Sequence, residues 1–103
     1  MDKMRTHYFI SKLFDINYRM AIHEGDANRR LASEAVKILL LSSSEVPERH
    51  KNEFNKLRQL IEETIKGLSV PGLTPTKLKS IRNSTASKYI KLLIDIYDDL
   101  SNE

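Results

Sequence analysis

The feature that most restricts this chain is where its helix breakers fall. All three glycines and all three prolines are confined to Gly25, Pro47 and the stretch holding Gly67, Pro71, Gly72 and Pro75. Inside a helix, glycine costs about 1 and proline about 3 kcal/mol relative to alanine, so long stretches without either favour helices that end at those positions. The spacing predicts helices over about 6–24, 26–42, 46–66 and 75–100. Pro47 suits the first turn of the third, and Thr74-Pro75 reads as a cap followed by proline at the first helical position of the fourth. Four helices with short connections predict an all-α fold, an antiparallel up-and-down four-helix bundle, with residues 1–103 as one domain.

Each segment carries a helical stripe. At about 100° per residue, the first gathers Phe9, Ile10, Leu13, Phe14, Ile16, Met20 and Ala21 on one face. Gly25 is expected to end that helix in the left-handed conformation, and Asp26 to cap the next. The second segment gathers Ala27, Leu31, Ala35, Ile38 and Leu39, and the third Phe54, Leu57, Leu60, Ile61, Thr64 and Ile65. Glu48 to Glu53 hold no large apolar group, so the start of the third helix is expected either to project from the core or to be held mainly by charge. Leu68, Val70 and Leu73 are expected to close one end of the core. The fourth stripe is Leu78, Ile81, Thr85, Tyr89, Leu92, Ile96 and Leu100, widened by Ala86, Ile90, Leu93, Ile94 and Tyr97. A helix that apolar lies at the centre of a fold or offers its second face to a partner. Asn17 is the one polar residue in the first stripe, and a backbone carbonyl is its expected partner.

Charge is ordered along the fourth segment. Thr74 to Lys91 carries Lys77, Lys79, Arg82, Lys88 and Lys91 without an acid, and Leu92 to Glu103 carries Asp95, Asp98, Asp99 and Glu103 without a base. This order opposes the helix dipole, which favours acids at the start and bases at the end. Three arrangements would compensate it. Glu62 and Glu63 could face the basic end while Arg49 and Lys51 face the acidic one; a polyanion could bind the basic half; or the helix could pair antiparallel with a second copy, covering Ile90, Ile94 and Tyr97.

The net charge of +3 and pI near 9.2 tilt only mildly toward polyanions. There is no cysteine, which excludes disulfides and thiolate chemistry and fits a reducing, cytoplasmic setting. The longest unbroken apolar run, Ile38 to Leu41, is far short of the roughly 20 residues of a membrane span, and no signal segment is expected. His7, His23 and His50 are scattered, so no metal site is expected. Glu62-Glu63 and Asp98-Asp99 are adjacent pairs, which diverge on a helix and cannot face each other as acid and base. Three isolated glycines form no phosphate loop, and no cofactor or small-molecule substrate is expected.

Residues 81–93, Ile-Arg-Asn-Ser-Thr-Ala-Ser-Lys-Tyr-Ile-Lys-Leu-Leu, resemble the turn and recognition helix of helix-turn-helix DNA-binding proteins. The resemblance covers that stretch alone, and Pro75 and Ser80 depart from the pattern of the preceding helix and turn. It implies DNA contact by Arg82, Asn83, Ser84, Thr85, Ser87 and Lys88. Arg19 and His23 are similar to the Arg and His pair of the HEPN helical ribonucleases, although Met20, Ala21 and Ile22 stand between them.

The expected function is a non-enzymatic protein-binding regulator or inhibitor, of the kind phages and mobile elements encode. Its expected interface is Tyr89, Ile90, Ile94 and Tyr97, binding another protein and a second copy of the chain. The alternative is a DNA-binding regulator using Lys77, Lys79, Arg82, Asn83, Ser84, Lys88 and Lys91.

Overall fold

A computed structural model describes residues 3–66 and 82–102. They form α1 (Lys3–Ile22), α2 (Ala27–Ser33), α3 (Ala35–Leu39), a 3-10 turn (Ser43–Glu45), α4 (Glu48–Lys66) and α5 (Asn83–Ser101). Among the described residues there is no strand. None of their helices is long and apolar enough to cross a membrane. Leu68, Val70, Leu73, Lys77, Lys79 and the start of the expected fourth helix lie outside the described residues.

Two of the expected helices are interrupted. The segment 26–42 is not one helix but two short ones, joined at Glu34 with φ −106° and ψ 8°. Here the Ser33 hydroxyl donates to the Arg30 carbonyl at 2.7 Å. The Glu34 N–H turns to the Leu31 carbonyl at 3.2 Å, a tighter bond than an α-helix makes. The segment 75–100 is not continuous either, because Arg82 is extended (φ −64°, ψ 143°) and α5 starts after it. Asn83, Ser84 and Thr85 follow, residue types whose short polar side chains compete with helical backbone bonds.

Gly25 also differs from expectation. Its backbone is not left-handed; its role is room, since a Cβ there would lie 2.8 Å from Cε1 of His23. The imidazole folds back over it, and Nδ1 accepts the Gly25 N–H at 2.9 Å. Asp26 makes no side-chain cap. The cap of α2 comes instead from across the fold, where Asn83 Oδ1 accepts the Asn28 N–H at 3.1 Å.

The core joins Phe9, Leu13, Ile16 and Met20 of α1 to Leu31 and Ala32 of α2, Ala35 and Ile38 of α3 and Phe54, Leu57 and Ile61 of α4. From α5 it takes Ala86, Leu93, Ile96 and Leu100. Burying each large member stabilises the fold by about 1.5–3 kcal/mol relative to leaving it in water. The α5 helix packs against α1, α2 and α4. Its buried line runs through Leu93 and Ile96, so Thr85, expected in the stripe, is exposed. On α1 the expected stripe was too wide, since Phe14 and Ala21 are exposed while Leu13 is fully buried. Asn17 donates through Nδ2 to the Leu93 carbonyl at 3.2 Å, as its place in the stripe suggested.

Replacing Asn83 with alanine removes the acceptor that α2 uses as its cap. A urea titration should find Asn83→Ala less stable by about 0.5–1 kcal/mol, with Asn83→Asp, which keeps the acceptor, close to wild type.

Candidate protein-interaction surface

The expected α5 interface is divided by the geometry. Ile94 is 43% exposed, whereas Ile90 and Tyr97 are half-buried against the core. Tyr89 is also half-buried, and lies about 140° round the helix from Ile94, on the other edge. Tyr89 therefore does not share a surface with Ile94, because the buried line through Leu93 separates them.

Two residues of α1 complete the patch: Tyr18, which the sequence places at a stripe edge suited to a contact anchor, and Phe14, which the helical period places in the core stripe. Phe14 and Tyr18 of α1 are 53% and 54% exposed. They are one helical turn apart with near-parallel rings, 6.2 Å between centroids at 14°. Phe14 also meets Tyr97 of α5, 5.8 Å between centroids at 44°. Phe14, Tyr18, Ile94 and Tyr97 thus form an apolar strip across the seam between α1 and α5. The helical period alone places Phe14 on the apolar face of α1. The aromatic spacing of four residues is the signal that marks it differently.

A depression of about 540 Å³ adjoins the strip at Ile90 and Ile94. Glu24 and Asp26 line it together with Arg30 and Lys91, so neither charge dominates. A second groove, about 580 Å³, runs between α1 and the chain after α3, lined by Tyr8, Phe9, Lys12, Leu40 and Leu41. Among the described residues no cluster of His, Asp and Glu side chains is placed to hold a metal ion.

Part of the charge order of α5 is compensated internally. Arg49 and His50 at the start of α4 both engage Asp99, Arg49 Nε at 3.0 Å and His50 Nε2 at 2.5 Å. The Arg49 hydrogen bond, then that of His50, hold the Asp99 carboxyl below its ordinary value of 3.8, and the same bond raises the Arg49 guanidinium. Lys77 and Lys79, at the basic end that Glu62 and Glu63 were expected to face, lie outside the described residues. Lys51 binds Glu48, and Glu62 faces Arg58, within α4 itself. Lys91 pairs with Asp95 at 2.9 Å.

Of the expected nucleic-acid contacts, Arg82, Ser84 and Lys88 are exposed, Lys91 is tied to Asp95, and Asn83 is occupied with α2. Arg19 pairs with Asp15 at 3.5 Å while His23 serves Gly25, so these two make no joint site. Comparisons of this chain with protein-family models, curated proteins and solved structures find no match.

The Asp99 pairing has a pH signature. Its folded value lies below the unfolded one, so its stability contribution is present above about pH 3.8 and is lost as the pH falls through the lower value. Asp99→Asn should melt at a lower temperature than wild type near neutrality, with the difference closing in acid. Thermal melts followed by circular dichroism across that range check it.

Proposed function

We propose that this protein is a non-enzymatic helical interaction module that binds a protein partner through Phe14, Tyr18, Ile94 and Tyr97. The observation that carries this reading is the joint exposure of Phe14, Tyr18 and Ile94 around the half-buried Tyr97 ring. Single exposed apolar residues are ordinary on protein surfaces, but a cluster of them is a mark of a contact surface. Phenylalanine and tyrosine also give large contact area with few rotors to freeze, which suits interface anchors. In this reading the helices form an antiparallel up-and-down bundle. Supporting it, Phe14 meets Tyr97 and Asn17 meets Leu93, so increasing numbers on α1 face decreasing numbers on α5. The module acts as a cytoplasmic regulator or inhibitor and needs no cofactor.

A photoreactive phenylalanine analogue placed at Tyr18 or Ile94 tests the surface, with the exposed Asn52 of α4 as control. Irradiation in cells should yield protein adducts from positions 18 and 94 and none from 52. Ile94→Asp in the Tyr18-labelled chain should abolish them. Equal labelling from position 52, or adducts indifferent to Ile94→Asp, would contradict the proposal.

A second reading is DNA binding by Arg82, Ser84, Lys88 and Lys91. It is favoured by the break at Arg82, where a recognition helix within residues 81–93 needs to begin. Anisotropy of a labelled duplex at about 50 and 200 mM salt distinguishes it, since several phosphate contacts would weaken binding about tenfold or more.

A further inference from the structure

We propose that the partner covering the Ile94 edge of this strip is a second copy of the chain, with α5 packed antiparallel on α5 of the copy. The inference rests on the strip being an interaction surface. It comes from the charges beside it. Lys88, Lys91, Asp95 and Asp98 follow one another at intervals of three, four and three, so they form a single seam along the outward side of α5. Lys88 and Asp98 stand five residues either side of Leu93, and Lys91 and Asp95 two residues either side. A two-fold axis near residue 93 therefore sets Lys88 against Asp98 of the second copy, and Lys91 against Asp95 of the second copy.

Parallel packing would set each charge against its own like, which opposes that arrangement. Within one copy, Lys91 and Asp95 neutralise each other, but Lys88 and Asp98 are exposed and make no ion pair with another described residue. The dimer gives both a partner. Exposed ion pairs contribute little to affinity, so their role is to select the orientation. The apolar contact comes from Ile94, which borders the seam about 40° round α5 from Asp98, while Tyr97, about 140° from the middle of the seam, and Phe14 beside it flank the pair. The same two-fold keeps the strips of both copies on one side of the α5 pair, and Ile94, next to the axis, meets its own counterpart there. The acidic half of α5 also separates this surface from a phosphate-binding one, because Asp95 and Asp98 lie along the same seam as Lys88 and Lys91.

Sedimentation equilibrium of the purified chain at about 0.1 mM should give twice the 11.9 kDa chain mass. The double variants Lys88→Glu with Lys91→Glu and Asp95→Lys with Asp98→Lys should each be monomeric alone, since each seam then repels itself. Mixed in equal amounts they should recover the dimer, because acidic seam meets basic seam. Circular dichroism confirms that both remain helical. A wild-type chain that stays monomeric, or variants that dimerise alone as wild type does, would overturn the proposal. A monomeric wild type that still gives adducts to a different protein from position 94 removes the second copy and leaves the surface standing. Loss of both dimer and adducts removes both.

Discussion

The fold depends on the burial of one side of α5. Ala86, Leu93 and Ile96 are fully buried, and the helix that carries them packs against α1, α2 and α4. At a packing density near that of organic crystals, such a line sets the rotation of its helix within narrow limits. That rotation decides what remains outside. With Leu93 inward, Ile94 stands about 100° away at the exposed edge, beside the connection from α1 to α2. The exposed strip is thus a consequence of the core and not an addition to it.

Polar contacts then set the register that apolar packing leaves free. Asn17 reaches the Leu93 carbonyl near the middle of the α1 and α5 contact. Asn83 closes the start of α2, and Arg49 with His50 closes the far end of α5 on Asp99. These contacts are spaced along α5 at its start, middle and end. The start of α4, which carries no large apolar side chain, is held by charge, the one of its two expected arrangements that the Arg49 contact to Asp99 realises.

Most of the architecture was legible because glycine and proline mark helix ends through local backbone physics. The α1 and α4 helices fall close to their expected bounds, and Phe54, Leu57 and Ile61 were identified from period alone. The break at Glu34 was not legible, since that position holds no glycine or proline and the break depends on competing polar side chains and on packing, whereas a break near Asn83 is what the resemblance of residues 81–93 to a turn and recognition helix implies, against the unbroken period of Leu78 to Leu100. The stripe of α1 was read too wide for a related reason. Period gives the direction of an apolar face but not how much of it neighbours cover, and Phe14 falls at the edge of what α5 covers, against Tyr97. Ile94 and Tyr97 on α5 and the stripe-edge Tyr18 on α1 were therefore legible in the sequence, and Phe14 required the fold.

A dilution series followed by methyl NMR tests the central claim most directly. The Ile94 methyl resonance should shift and broaden as concentration rises, with a smaller response at Ile90, while the buried Ile38 and Ile61 stay fixed. An Ile94 resonance unchanged across the series, or one that moves no more than Ile38 and Ile61, would contradict the account.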